Sequence, residues 1–537
     1  MSSRGLRALS LALALTLGAV TEGRGAGFLP ENLELLPPGI RGVDGDASAL
    51  LPGEGGRVVE RVRLPSATGA EPRLLDVEYT VDVELERRVR DVLVRSGITL
   101  GHVVLMDPAH GELLAYVSTA PEIFPATRRY PTASLMKIVT LAGALQRSPQ
   151  AAGGECLYAG SPYELRREQL RPPAEGGRFE PLWRSLAISN NQCFARLAVF
   201  DVGEEALLAE IARVGLLEPP AGGHPEGRVE PVGDELDLGR LGSGLAGSSI
   251  TPLAAARLAA ALARGELVQP FWIARARDVQ DGSWLVPERP AARAIWPAEI
   301  AGALRESLVG VTKQGTARSA FVGARGGALL EGIRVAGKTG SLSGRDPEGQ
   351  YRWFIGVAPA EAPRIAIAVL VVNGPRSASM VAAAALRELF CPTGSCNTTW
   401  VDELSARATS RDAETAAEIA AAEAARQRVL AAAKPPAPAP SVVPPVEALD
   451  EVPRPIGVAG FDFPSRLLRK RVNGEIVLML ELAPDGGVRD ARIDSSDLPD
   501  FDAFVLREVA RWRFTPPRLG GQAVGARARL PIPIRIE

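Results

Sequence analysis

Lysine is scarce in this chain. Of 61 basic residues only five are lysine, namely Lys137, Lys313, Lys338, Lys434 and Lys470, and the rest are arginine. An arginine guanidinium keeps its proton and cannot act as a base, whereas a desolvated lysine can. A lysine in a chain that otherwise places arginine wherever it needs charge is therefore informative. Histidine is scarcer still. His102, His110 and His224 show no H-x-x-x-H spacing, and the four cysteines show no C-x-x-C. That argues against a metal centre and against a Ser-His-Asp triad, and no cofactor motif is read. The formal net charge of -2 supplies no basic field for nucleic acid. Long apolar runs are missing too. The run from Ala8 to Val20 falls short of the roughly 20 residues of a membrane span. Arg4 and Arg7 precede it and Gly23, Gly25 and Ala26 follow, so residues 1–26 read as an export signal. Cleaved, it leaves a periplasmic chain; uncleaved, it is an inner-membrane anchor.

Outside the cytoplasm, Cys156, Cys193, Cys391 and Cys396 can pair. Three pairings are open. Cys391–Cys396, a local loop, with Cys156–Cys193 is preferred over the others and over four buried thiols.

A chain of 537 residues exceeds one ordinary domain. Residues 27–75 are rich in proline and glycine and read as an extended lead-in. Asp82 can cap a helix whose apolar positions are Leu85, Val89, Val92 and Leu93. Two β-rich runs, His102–Met106 and Leu113–Ser118, flank the turn Asp107-Pro108-Ala109-His110-Gly111 and predict a hairpin. Residues 150–182 read as irregular. Helices are predicted near 182–187, 204–214, 252–264, 300–311 and 380–390, and strands over 332–338, 353–358 and 364–372. Residues 401–433, alanine-rich and charged, predict a solvated helix. Lys434 to Pro445 holds six prolines and reads as a stiff linker.

The chemistry centres on Ser134-Leu135-Met136-Lys137. A serine and a lysine three apart on a helix share a face. A serine hydroxyl is a weak nucleophile until a neighbour takes its proton, and a lysine of lowered pKa can do so. Pro131 favours a helix start just ahead of Ser134, where free backbone N–H groups favour developing negative charge. Ser189-Asn190-Asn191 alone is no more than a turn or helix cap. Lys338-Thr339-Gly340-Ser341, at the end of a predicted strand, uses another of the five lysines, and Gly340 permits close backbone approach.

Together, in the order S-x-x-K, S-x-N, K-T-G, these segments resemble the transpeptidase domain of penicillin-binding proteins. Thr80 to Leu85, Asp107 to Ala115, Thr251-Pro252-Leu253, Gly315-Thr316-Ala317 and Trp353-Phe354-Ile355-Gly356 are similar to further segments of that family. The resemblance covers about residues 76–397. It implies an α/β penicillin-binding, β-lactamase-like fold with mixed sheet and helices, and a serine D,D-peptidase or transpeptidase acting on peptidoglycan stem peptides. Ser134 would be the nucleophile and Lys137 its base. Ser189 and Lys338 would pass a proton to the leaving amine, and Asn191 would hold the peptide amide. Lys338 and Thr339 would bind the terminal carboxylate, with Gly340 and Ser341 lining the oxyanion side. β-Lactams would trap Ser134. No cofactor or metal is implied. The S-N-N triplet, with no E-x-x-L-N segment before Lys338, separates the chain from serine β-lactamases. A D,D-carboxypeptidase, or a catalytically weak penicillin-binding sensor or scaffold, are the alternatives.

After residues 398–454, a helix and linker, residues 455–537 carry strand, turn, strand, helix and strand signals. Gly474–Leu482, the turn Pro484-Asp485-Gly486-Gly487, Val488–Ile493, a helix over Phe501–Trp512 and a last strand near Ala523–Ile536 resemble the TonB C-terminal domain. That resemblance implies a small α+β domain serving as an envelope protein-binding arm.

Overall fold

The computed structural model describes residues 27–28, 35–41, 50–52, 57–64, 73–323, 326–432, 444–456, 461, 463, 467 and 472–536. The export signal read at 1–26 and the linker stretch 433–443 lie outside the described residues. The chain divides into a larger compact unit within residues 23–423 and a smaller one within 424–537.

The larger unit is built on a five-stranded antiparallel sheet. Its spatial order is Ala336–Arg345, Glu348–Ala358, Ile365–Val372, Gly101–Met106, Leu113–Ser118. Ile365–Val372 and Gly101–Met106 are buried at every position, so their sequences are unbroken apolar runs rather than alternations. Helix Pro252–Arg264 covers one face of the sheet. It is buried from Pro252 through Ala263, as an all-round apolar helix must be. Thr251 caps it by accepting from the Ala254 N–H at 3.2 Å, and Gly265, left-handed at φ 75°, ends it. Helices Val83–Arg95 and Ala378–Phe390 pack on each other and cover the other face. The capping expected of Asp82 is present, its carboxylate accepting from the Leu85 N–H at 2.8 Å. Leu85, Val89, Val92 and Leu93 form the buried stripe.

The first strand in that order, Ala336–Arg345, is the sheet's edge, and the site is built beside it. It begins later than expected and runs through the K-T-G segment, paired residue for residue with Glu348–Ala358. Lys338 to Ser341 therefore sits inside the strand, not at its end. The short hairpin to Glu348 sets the register.

Three stretches differ from expectation. Part of the lead-in is sheet: Leu50–Pro52, Arg57–Leu64 and Arg73–Asp82 join Ile273–Asp278, Trp284–Val286 and Gly27–Phe28 in a six-stranded sheet. Its later strands lie some two hundred residues downstream, so no local pattern announces the pairing. Residues 150–182 contain a hairpin, Glu155–Tyr158 with Arg178–Pro181. The expected solvated helix spans Thr399–Ala432, but Val401, Leu404, Arg411 and Thr415 form a buried face. Arg411 Nη1 donates to Glu112 Oε1 at 3.1 Å, and Arg275 Nη1 donates to Thr415 Oγ1 at 2.7 Å. Two of these four buried positions are polar, which hides the face from a reading of apolar spacing alone.

Both preferred disulfides are formed, Cys156–Cys193 and Cys391–Cys396, with Cα separations of 5.8 and 4.1 Å. The smaller unit has Val472–Leu482 between Val488–Ser496 and Ala526–Ile536, all antiparallel. Helix Pro499–Val509 buries Phe501, Val505 and Val509 in the same core as Ile476, Leu478 and Leu480. The expected turn is there, with Gly486 at φ 83° and Ala483 N–H donating to the Gly487 carbonyl at 2.7 Å.

Candidate active site

Ser134 sits in the 3-10 turn Ala133–Leu135, which runs directly into helix Met136–Arg147. Ahead of it, Tyr130–Pro131 pairs with Ser248–Ile250, and Trp353 Nε1 donates to the Pro131 carbonyl at 2.8 Å. The turn is wedged between two glycines. A Cβ on Gly340 would lie 3.1 Å from Ala133 Cβ and 3.3 Å from Ser134 N. A Cβ on Gly244, at φ 73°, would lie 1.9 Å from the Ala133 carbonyl oxygen. Ala133 is itself held at φ 52°, a left-handed conformation costing about 1–3 kcal/mol that the surrounding packing must sustain.

Lys137 is fully buried. Its Nζ lies 3.0 Å from Ser134 Oγ, 2.7 Å from Asn191 Oδ1 and 2.5 Å from the Ser243 carbonyl oxygen. Two of these neighbours can only accept. A neutral amine has two hydrogens and one lone pair. It donates to Asn191 and Ser243 and turns the lone pair to the Ser134 hydroxyl. Burial, and secondarily the charge of Lys338, holds the Lys137 pKa well below its ordinary value. Among the described residues, none of its bonds goes to a carboxylate that would restore the charge.

The second motif is a turn and a cap at once. Helix Leu182–Ala187 ends, Ser189 adopts φ 61°, and the Asn190 side chain caps helix Asn191–Arg196 by accepting from the Cys193 N–H at 3.2 Å. Asn191, first in that helix, is nearly fully buried and donates from Nδ2 to the Tyr163 carbonyl at 2.6 Å. From the sheet edge, the fully buried Lys338 donates to Ser189 Oγ at 2.9 Å and to the Thr339 carbonyl at 2.8 Å. Burial lowers its pKa to about 7. Thr339 Oγ1 is 2.5 Å from Thr316 Oγ1, and Ser341 is exposed on the same strand.

Every residue singled out from the sequence thus lies in one cleft between the strand edge and two helical segments. Three contributors were not given roles from sequence: the Ser243 carbonyl, Gly244 and Thr316. The first is a main-chain atom and has no sequence signature. The second was signalled only by the glycines flanking Ser243, and the third by its place in Gly315-Thr316-Ala317. Among the described residues no His, Cys, Asp and Glu cluster could hold a metal.

The family model described as penicillin binding protein transpeptidase domain matches residues 101–390, more than half of the chain. The chain belongs to the penicillin-binding protein transpeptidase family. All three motifs of this penicillin-binding protein fall inside the matched region. A second model, the Gram-negative bacterial TonB protein C-terminal, matches residues 459–535. The peptidoglycan D,D-transpeptidase PbpA of Mycobacterium tuberculosis is 29% identical over 356 residues, covering 57% of this chain and 69% of the relative. The peptidoglycan D,D-transpeptidase FtsI of Escherichia coli is 22% identical over 362 residues, covering 62% of this chain and 57% of the relative. Among solved structures, penicillin binding protein 3 of Mycobacterium tuberculosis in complex with aztreonam shares the fold. Its TM-score is 0.50 at 22% identity, covering 59% of this chain and 80% of that one.

Proposed function

We propose that this penicillin-binding protein is a peptidoglycan D,D-transpeptidase that works through an acyl-enzyme at Ser134. The observation that carries the reading is the neutral-amine geometry of Lys137, with its lone pair facing Ser134 Oγ at 3.0 Å. The names of its relatives PbpA and FtsI support the same reaction class.

Lys137 takes the Ser134 proton as Oγ bonds to the carbonyl carbon between the two terminal D-alanines of a stem peptide. The backbone N–H groups of Ser134 and Ser341 receive the oxyanion, each such donor contributing roughly 3–4 kcal/mol. Ser189, backed by Lys338, protonates the leaving nitrogen as the C–N bond breaks and D-alanine departs. An acceptor amine then attacks the acyl carbon, gives its proton to Lys137, and releases Ser134. Asn191 orients Lys137 through Oδ1. One of its two amide hydrogens is taken by the Tyr163 carbonyl, which leaves one for the peptide. Thr339 and Lys338 hold the terminal carboxylate, and β-lactams acylate Ser134 in the substrate's place.

The domain assignment follows as part of the proposal. It comprises an export signal over 1–26, a catalytic domain over 76–397 with its lead-in, a helix and linker over 398–454, and an envelope protein-binding arm over 455–537. The working place is the periplasm. Among the described residues no helix is long and apolar enough to cross a membrane.

Labelling with a fluorescent penicillin tests the site: a covalent band in the wild type that is absent from Ser134→Ala supports the reading, and no band in the folded wild type overturns it. Incubation with a pentapeptide donor and an added amine acceptor then decides the fate of the acyl group. Cross-linked product supports transpeptidation, and release of D-alanine with only tetrapeptide formed assigns the enzyme to carboxypeptidation.

A further inference from the structure

The Thr316–Thr339 contact has no part in the chemistry described so far. The two hydroxyl oxygens are 2.5 Å apart, Thr316 is exposed and Thr339 half-buried. The backbone of Thr316 is fixed independently of its side chain. Its N–H donates to the Ala187 carbonyl at 3.0 Å, and Ala317 N–H donates to the Val311 carbonyl at 3.1 Å. Gly315 lies so close to Ala187 that a Cβ there would meet the carbonyl oxygen at 2.2 Å. Ala187 stands two residues before Ser189, so this turn is packed onto the second motif on one side and meets Thr339 on the other.

We propose that Thr316 is a specificity-determining residue that binds the free carboxylate of the donor together with Thr339. The inference rests on the acyl-serine reading above. Two neighbouring hydroxyls joined by one hydrogen bond keep one hydrogen unused. When a carboxylate arrives, each turns its O–H to one carboxylate oxygen, and both bonds become charge-assisted. Lys338, bonded to the Thr339 carbonyl, supplies the nearest cationic nitrogen. Along the strand the next positions on the Thr339 side are Ser341 and Ser343, and the first arginine is Arg345. Hydroxyls therefore stand where a guanidinium fork could otherwise have served.

The test compares acylation of the full chain by benzylpenicillin, a free acid, with acylation by its methyl ester. Second-order rate constants are measured for the wild type, Thr316→Val and Thr316→Ser, with melting temperatures as a folding check. Loss of one hydrogen bond to a charged group is worth about tenfold or more. Thr316→Val should slow the acid about tenfold while leaving the ester within about twofold, so the wild-type preference for the acid shrinks. Thr316→Ser should restore it. Equal slowing of acid and ester would make Thr316 structural and overturn the proposal. So would an unchanged preference in Thr316→Val. A wild type that acylates with neither compound would overturn the acyl-serine reading, and this inference with it.

Discussion

Replacing Asn191 by aspartate changes one atom's identity and places a negative charge against the base. In the native site Asn191 Oδ1 is 2.7 Å from Lys137 Nζ. Two unit charges that close interact by about 6 kcal/mol at an effective dielectric of 20, or roughly four pKa units. Burial of the new carboxylate opposes part of that gain, leaving a rise in the Lys137 pKa of about two units or more. The sign is fixed: a carboxylate stabilises the ammonium, and an ammonium has no lone pair for the Ser134 proton. Acylation of Asn191→Asp by a fluorescent penicillin should therefore fall by about a hundredfold at neutral pH. It should recover toward alkaline pH, with the lower limb of the pH–rate profile displaced by about two units. Asn191→Ala loses the same contacts, including the bond to the Tyr163 carbonyl, without adding charge. Its rate should fall with the limb in place. Superimposable limbs for the two variants would refute the reasoning, because Lys137 would then not be the group that titrates.

Lys137→Arg keeps the charge and removes the base, so acylation should drop by about 10²–10⁴-fold in a stopped-flow assay, with no recovery at high pH. The Cys156–Cys193 disulfide closes a separation of 37 residues. Its loss in a Cys156→Ala, Cys193→Ala variant should cost about 4 kcal/mol in denaturant unfolding. Because Cys193 lies two residues beyond Asn191, the acylation rate should fall as well. Arg411→Ala leaves Glu112 buried without its partner and should destabilise the chain by about 3–5 kcal/mol by urea titration, whereas Arg411→Leu with Glu112→Leu should recover most of that loss.

The parts of this molecule that were readable in sequence are those in which the signal is local. The Asp82 cap with its stripe of Leu85, Val89, Val92 and Leu93, the hairpin about Asp107 to Gly111, and the helix from Pro252 each carry their own period and punctuation. The Ser134–Lys137 contact follows from helix geometry alone. Joining it to Ser189 and Lys338 did not follow from local pattern, and came from the order of the three motifs. What stayed hidden depends on distant partners. The lead-in strands need Ile273–Asp278 to become a sheet, and the helix from Thr399 needs Glu112 and Arg275 to make burial of Arg411 and Thr415 favourable. The Ser243 and Tyr163 carbonyls act through atoms that every residue possesses.

The two buried lysines have a consequence for folding itself. In the unfolded chain each side chain holds its proton up to about pH 10.5. In the native site Lys338 titrates at about 7, and Lys137 is held well below its ordinary value. The native state binds fewer protons, so stability rises with pH between about 7 and 10.5 and is lost as pH falls through the native value of Lys338. At mildly alkaline pH, close to two protons must leave for the bulk each time a molecule folds. The apparent heat of refolding should then depend on the ionisation enthalpy of the buffer that collects them.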